Sequence, residues 1–136
     1  MTPLRLAREA EALIGTRFRL HGRDPATGVD CIGLLSAAMA RAGKPITLPT
    51  GYPLRLCNLA PWLPHPATLG FSEARGPFRP GDVVMLQPGP AQFHLAIADR
   101  QLGWVHAHAG LRRVVRDAAL PDGTITAHWR LRRSRK

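Results

Sequence analysis

The order of the hydrophobic patterns along the chain is the feature that most limits its fold. Up to Gly43 the apolar residues recur at helical spacing, whereas from Gly81 onward they alternate or form short β-branched runs. A chain that places helices first and strands afterwards lacks the alternation of a parallel α/β fold. We therefore expect an α+β domain with an antiparallel sheet.

A first helix is predicted over about residues 3–14, where the apolar side chains form one stripe. Thr2-Pro3 suits the start of this helix, and Gly15 suits its end. The following residues, 15–30, contain turn-forming Asp, Pro and Gly and are expected to form a loop.

A second helix is predicted from Cys31 to Ala42, with Asp30 as its N-cap and Gly43 after its last residue. This prediction puts a cysteine in the first turn of a helix. Unpaired backbone amides and the macrodipole at a helix N-terminus stabilise a thiolate. Cys31 is therefore a candidate nucleophile, although a cysteine at such a position can also be a buried apolar residue.

The remaining chain divides into a proline-rich connection, about residues 44–80, and a strand-rich part. The connection is expected to be mostly extended loop with one short helix. Strands are predicted within the segments 82–87, 93–99, 103–110, 111–117 and 126–132. The 136 residues suit one domain, with its helical part at about 1–43 and its sheet at about 81–133.

Two histidines lie in what is predicted to be a β-hairpin, "FHLAIADRQLGWVHAH". If residues 99–101 form its loop, Ala98 pairs with Leu102 and His94 stands directly opposite His106. Side chains at such positions have Cβ atoms about 4.5–5.5 Å apart, so one imidazole can orient the other. His108 shares the face of His106 and is a rival for that orienting role.

A cysteine nucleophile needs a base, and the base needs a group that orients it. Cys31, His94 and His106 supply these three parts. In this interpretation imidazolium at His94 and the helix N-terminus favour the thiolate of Cys31. We expect Cys57 to be a buried thiol without a function, and the remaining histidines, His21, His65 and His128, to lie on the surface or in loops.

Several segments together resemble the NlpC-type cell-wall peptidases, which are papain-like cysteine peptidases, and most closely the type found in phages and gene transfer agents. The segments are "IGTRFRLHGRDPATGVDCIGL", "RPGDVVML", "FHLAIADRQLGWVHAHAG" and "ITAHWRLR". The resemblance implies a nucleophile-bearing helix packed on an antiparallel sheet of five or six strands. It also implies hydrolysis of an amide bond in peptidoglycan stem peptides, commonly between D-glutamate and the diamino acid, without a metal or other cofactor.

Carried over to this chain, the resemblance makes Cys31 the nucleophile, His94 the base and His106 its orienting residue. In some relatives a Tyr, a Ser and an Asp help to recognise the stem peptide. The Asp corresponds to Asp30, but Phe18 stands at the Tyr position and Ile32 at the Ser position. Asp30 and Phe18 are therefore the expected substrate-binding residues, while Asp30 is also the expected helix cap.

Two alternatives remain open from the sequence. His94, His106 and His108 could share one sheet face and bind zinc in a metal-dependent hydrolase, with or without Cys31. Alternatively, the chain could be a basic phage structural or nucleic-acid-binding module that has lost catalytic activity.

The net charge of +10 favours a polyanionic partner, and stem-peptide carboxylates fit that charge. We do not expect nucleic acid as the main partner. No apolar run is long enough to span a membrane, and the N-terminus lacks the pattern of a signal peptide. We expect synthesis in the cytoplasm and action at the cell wall or in the periplasm, with a phage-tail or gene-transfer particle as one expected carrier.

Overall fold

Two N-terminal helices followed by an antiparallel sheet make up the fold, as the sequence predicts. The computed structural model describes residues 2–48, 65–89 and 92–133. In chain order the elements are α1 (Pro3–Ala12), β1 (Arg23–Asp24), β2 (Gly28–Val29), α2 (Cys31–Arg41), a 3-10 helix (Pro66–Leu69), β3 (Phe71–Glu73), β4 (Val83–Gln87), β5 (His94–Ala98), β6 (Trp104–His108), β7 (Arg113–Asp117) and β8 (Thr124–Leu131). Within these described ranges, no helix has the length and apolar content needed to cross a membrane.

Both helices begin at the predicted residues and end slightly before the predicted ones. The hydroxyl of Thr2 caps α1 by accepting a hydrogen bond from the amide of Arg5 at 3.2 Å. The helix ends two residues early because Leu13 forms its C-cap and Gly15 then adopts a φ of 94°. In α2 the last helical residue is Arg41, and Ala42 forms the C-cap.

The segment between the helices, predicted as a loop, contains short stretches of strand pairing. β1 and β2 form a two-stranded ribbon in which Arg23 pairs with Val29. Just before this ribbon, Arg17 forms a bridge with Arg113 of β7, and Phe18 forms one with Val29. The pairing fixes Phe18 between the ribbon and the edge of the main sheet. It escapes a reading of the sequence because two-residue strands have no measurable periodicity.

The main sheet is antiparallel and contains six strands in the order β3-β8-β4-β5-β6-β7. This number agrees with the five or six strands that the resemblance implies. The sheet does not begin at about residue 81, as expected, because β3 already pairs with β8 through Phe71 and Leu131. A strand of three residues directly after the 3-10 helix is too short to show a period-2 pattern. Cys57 lies outside the described residues.

Both faces of the sheet are covered, which explains the continuous apolar run of β4. One face packs against the two helices, and its core includes Leu6, Ile32, Leu34, Met39, Val83, Leu95, Ile97, Val105 and Leu131. The opposite face carries a smaller hydrophobic cluster, with Phe78 and Leu120 packed against it. The cluster contains Val84, Leu86, Ala96, Ala98 and Trp104. Successive residues of β4 and β5 alternate between these two clusters.

His128 is an exception to the expectation that the remaining histidines lie on the surface or in loops. It belongs to β8, and its Nε2 lies 2.6 Å from Oδ2 of the fully buried Asp82. Arg130 donates to the same carboxylate from Nε and Nη2, each at 2.8 Å. A buried carboxylate needs such donors, so these two residues of β8 fix Asp82 at the start of β4.

Candidate active site

The N-terminus of α2 is held in place by Asp30. Its Oδ1 accepts a hydrogen bond from the amide of Gly33 at 2.8 Å, and its Oδ2 accepts one from the amide of His21 at 2.9 Å. The first bond caps the helix, and the second ties it to the preceding loop. Both carboxylate oxygens of this buried residue are therefore engaged by backbone amides, and Cys31 follows directly at the first helical position.

Cys31 is buried, and its surroundings favour the neutral thiol. Burial and the neighbouring charge of Asp30 raise the pKa of the thiol to about 12, although backbone hydrogen bonds involving Leu95, Ile32 and Cys31 itself act in the opposite direction. The expected thiolate is thus not the favoured form in the free protein, because desolvation outweighs the helix N-terminus. The hydrogen bond with Leu95 places the thiol beside the start of β5.

The hairpin formed by β5 and β6 has a longer loop than predicted, and its register differs accordingly. Ala98 pairs with Trp104 rather than with Leu102. The strands are thus joined by the segment from Asp99 to Gly103, and the carboxylate of buried Asp99 accepts the amide of Gly103 at 2.8 Å. The prediction that His94 stands directly opposite His106 is therefore wrong. The internal hydrogen bond of the longer loop is not visible in a pattern of apolar residues.

His94 and His106 nevertheless meet, as a diagonal pair. The register differs from the predicted one by two residues, and an even difference keeps each side chain on its face. Nε2 of His94 lies 2.7 Å from Nδ1 of His106, and the ring centroids are 4.9 Å apart with nearly perpendicular planes. The last pair of the β5–β6 ladder is Ile97 with Val105, so both histidines lie beyond it.

The base candidate is neutral at physiological pH. Burial, with a further contribution from the positive charges that His106 and His108 can carry, lowers the pKa of His94 to about 4. A neutral imidazole can accept a proton, as a general base must.

Asp117, which no sequence pattern marked as a site residue, extends the hydrogen bonding from His94 and His106. Its Oδ2 lies 2.6 Å from Nε2 of His106. Asp117 pairs with Trp104 across β6 and β7, which puts it on the face of His106 and diagonal to it. Asp117 is the last residue of the predicted strand segment 111–117. A prediction of the register between β6 and β7 would have placed it near His106.

His108 does not take the orienting position. Its ring centroid lies 5.9 Å from that of His106, and its Nδ1 accepts a hydrogen bond from the amide of Leu111 at 3.0 Å. This hydrogen bond with Leu111 stabilises the turn after β6. Of the two rivals, His106 is the one that contacts His94.

The histidines are not arranged as zinc ligands. Throughout the described part of the chain, no group of three His, Cys, Asp or Glu side chains is placed to hold a metal ion. Two nitrogens bound to one tetrahedral zinc at about 2.0–2.1 Å stand roughly 3.3 Å apart. The 2.7 Å between His94 and His106 is a hydrogen-bond distance instead.

One cavity of about 520 Å³ joins all the predicted site residues. Its lining comprises Phe18, Leu20, Asp30, Cys31, Pro88, Gln92, Phe93, His94, His106, Ala107, His108, Ala109, Gly110 and Asp122. Ile32 is fully buried and is not part of this lining. The arrangement therefore combines a thiol, a neutral base and an orienting imidazole around a space that can admit part of a peptide.

Comparison with solved structures identifies the fold. NlpC2 from Trichomonas vaginalis matches 95% of this chain at 16% identity, with a TM-score of 0.66. NlpC1 from the same organism matches 93% at 17% identity, also with a TM-score of 0.66. The NlpC/p60 domain of peptidoglycan hydrolase SagA matches 87% at 22% identity, with a TM-score of 0.58. The chain has the NlpC/p60 fold.

The extent of these matches differs among the NlpC/p60 structures. The chain spans less than half of the two Trichomonas proteins, 46% and 44% of their lengths, but 90% of the SagA domain. No protein-family model matches the chain, and no curated protein matches it. The NlpC/p60 fold is thus shown by structure, at sequence identities below 25%.

Proposed function

We propose that this chain is a cysteine peptidase that hydrolyses an amide bond in peptidoglycan stem peptides. The observation that carries the proposal is the shared cavity of Cys31, at a helix N-terminus, and the hydrogen-bonded His94–His106 pair. The NlpC/p60 fold supports it, because one matching domain belongs to a protein described as a peptidoglycan hydrolase. The net charge of +10 suits a wall that carries stem-peptide carboxylates.

The proposed reaction starts from a neutral thiol and a neutral imidazole. As Sγ of Cys31 attacks the carbonyl carbon, the thiol proton passes to His94. Backbone amides at the start of α2 stabilise the oxyanion of the tetrahedral intermediate. The intermediate collapses to a thioester as His94 gives its proton to the leaving amine. His94 then takes a proton from the water that attacks the thioester. It returns this proton to Sγ of Cys31 as the acid is released, which restores the neutral thiol and the neutral imidazole.

The pKa values set the timing of this proton transfer. The high pKa of Cys31 and the low pKa of His94 make a thiolate–imidazolium pair unfavourable before substrate binds. Proton transfer is therefore coupled to attack on the carbonyl, since the negative charge then moves onto an oxygen that the helix N-terminus stabilises.

We further propose that the bond lies between D-glutamate and the diamino acid. This finer proposal rests on the resemblance of the block from Gly28 to Leu34 to that of stem-peptide endopeptidases. Phe18 lines the cavity and can contribute only apolar contact to a substrate. Asp30 can contact a substrate only while its carboxylate also accepts hydrogen bonds from two backbone amides.

A substrate at the cell wall also implies that the protein is delivered there from its site of synthesis. We propose a phage-tail or gene-transfer particle as the carrier.

The nucleophile is tested with purified sacculi and mass spectrometry of the released muropeptides. Cys31→Ala is expected to release none, because no other cysteine is found among the described residues that line the cavity. Cys57→Ala is the matched control and should retain activity. Thermal unfolding of both variants shows whether each is folded.

The outcomes separate the proposed reaction from its rivals. Muropeptide release by folded Cys31→Ala would refute the nucleophile. Loss of wild-type activity with a chelator, restored by zinc, would favour the metal-dependent alternative. Stems shortened after D-glutamate support the proposed bond, and any other cut site contradicts it while leaving the peptidase assignment intact.

A further inference from the structure

The two ring nitrogens of His106 are both engaged in short hydrogen bonds. The residue is only 3% exposed, so water does not compete for these positions. Nδ1 faces Nε2 of His94 at 2.7 Å, and Nε2 faces Oδ2 of Asp117 at 2.6 Å. A neutral imidazole has one N–H and one lone pair, so one of these bonds is donated and the other accepted.

Asp117 determines which ring nitrogen of His106 donates a hydrogen bond and which accepts one. An ionised carboxylate only accepts hydrogen bonds, so Nε2 of His106 carries the proton and donates a hydrogen bond to Asp117. Nδ1 of His106 then holds a lone pair and accepts a hydrogen bond from Nε2 of His94. The proton of neutral His94 is therefore on Nε2, and its Nδ1 is left with the lone pair.

We infer that Asp117 is a positioning residue that, through His106, keeps Nδ1 of His94 unprotonated as the base of the cavity. The catalytic consequence rests on the proposed peptidase function, whereas the protonation pattern itself does not. No proton moves to Asp117 in this arrangement. The carboxylate only fixes two tautomers and the orientation of two rings.

The surroundings of Asp117 suit this role. Its side chain is 54% exposed, and it reaches the buried His106 from the edge strand β7. The adjacent Arg116 pairs with Asp99, with Nε 2.5 Å from Oδ2, and so does not compete for Asp117. The titratable groups that face His106 are His94 from β5, His108 from its own strand and Asp117 from β7.

An amide in place of the carboxylate can reverse the whole chain of bonds. In Asp117→Asn the side-chain N–H₂ can donate to Nε2 of His106, which places the histidine proton on Nδ1. His106 then donates to His94, and the proton of His94 moves to its Nδ1. That tautomer leaves no lone pair on the one ring nitrogen of His94 that does not face His106, so His94 can no longer act as the general base.

The tautomers can be read without any substrate. Long-range ¹H–¹⁵N correlation spectra of the histidine rings at pH 7 distinguish Nδ1–H from Nε2–H. We expect Nε2–H for His94 and His106 in the wild type, in Asp117→Glu and in the control Glu73→Gln, an exposed carboxylate on β3. We expect Nδ1–H to become populated at both rings in Asp117→Asn. A wild type with Nδ1–H at His94, or unchanged tautomers in Asp117→Asn, would overturn the inference.

Kinetics test the consequence for catalysis. Asp117→Asn should lower kcat at least about tenfold, and at most by the roughly 10²–10⁴-fold that general acid–base catalysis contributes, with little change in KM. Asp117→Glu should recover most of that loss, and Glu73→Gln should match the wild type. An unchanged kcat in Asp117→Asn contradicts the inference. A wild type inactive on sacculi instead refutes the proposed function, while the spectra still report on the tautomers.

Discussion

At the scale of single residues, burial decides the protonation of the candidate site. The sequence places Cys31 at a helix N-terminus, which by itself favours a thiolate. In the folded chain the side chain is 8% exposed and next to Asp30, and its pKa rises to about 12. His94 is half-buried, and its pKa is lowered to about 4. Both shifts favour the neutral form, so the free protein has a thiol and an imidazole rather than an ion pair.

Alkylation by iodoacetamide provides a direct test of the thiol. Only the thiolate reacts, so the rate at Cys31 should be very low at mildly acidic pH and should rise with pH beyond the ordinary thiol value of 9.0. Mass spectrometry of the Cys31 peptide after labelling between pH 5 and pH 10 measures this profile.

The same chain unfolded in urea is the matched control for this measurement. Its Cys31 should titrate near the ordinary value and react faster than in the folded state at every pH below it. A fast rate in the folded chain that stays constant between pH 5 and pH 7 would show a thiolate–imidazolium pair and contradict the neutral pair.

At the scale of elements, the close approach of α2 to the loop before it positions the nucleophile. A Cβ atom added to Gly33 would overlap the carbonyl oxygen of Gly22. On the same side of the helix, Asp30 binds the amide of His21. The glycine two residues after Cys31 in the resembling block thus has a steric reason, since only glycine lets the helix start lie against this backbone.

Gly33→Ala is expected to destabilise the protein. Alanine favours a helix by about 1 kcal/mol, but the clash with the backbone at Gly22 costs more, so we expect a net loss of about 1–3 kcal/mol in the free energy of unfolding. Urea denaturation followed by circular dichroism measures it. Ser36→Ala changes the same helix without adding an atom and should stay within about 0.5 kcal/mol of the wild type. A Gly33→Ala variant as stable as that control would show that the approach is not tight.

At the scale of the whole molecule, scarce carboxylates connect the elements of a strongly basic chain. Nine acidic residues stand against nineteen basic ones. Glu11 of α1 pairs with Arg100 in the hairpin loop at 2.8 Å. Asp82 joins the start of β4 to Arg130 and His128 of β8. Of these groups Asp82 is fully buried, so its charge matters most for the fold.

Asp82→Asn should unfold more easily and lose part of its acid sensitivity. Burial raises the pKa of Asp82, but hydrogen bonds from Arg130, His128 and the amide of Arg79 outweigh it and hold the pKa below the ordinary 3.8. A lowered pKa contributes stability above the ordinary value, and that stability is lost as the pH falls below it. At pH 7 we expect a loss of about 3 kcal/mol, because Arg130 remains without its partner.

Urea denaturation at pH 7 and at several values down to pH 2.5 tests this prediction. The stability of Asp82→Asn should decline less steeply than that of the wild type over the acidic range. Glu73→Gln, which changes an exposed carboxylate on β3, should follow the wild-type profile. Parallel profiles for Asp82→Asn and the wild type would mean that Asp82 is not the group responsible.

It was possible to predict from the sequence alone the order of helices and strands, the helix starts at Pro3 and Cys31, and the face shared by His94 and His106. These features depend on local caps and on periodicity, which a single sequence displays. The hairpin register depends on tertiary contacts, as do the additional strand β3, the partner Asp117 and the neutral form of Cys31. Register depends on loops such as the one folded around Asp99, and pKa values depend on burial by distant segments. Neither property is encoded in neighbouring residues, so both emerge only when the chain is folded.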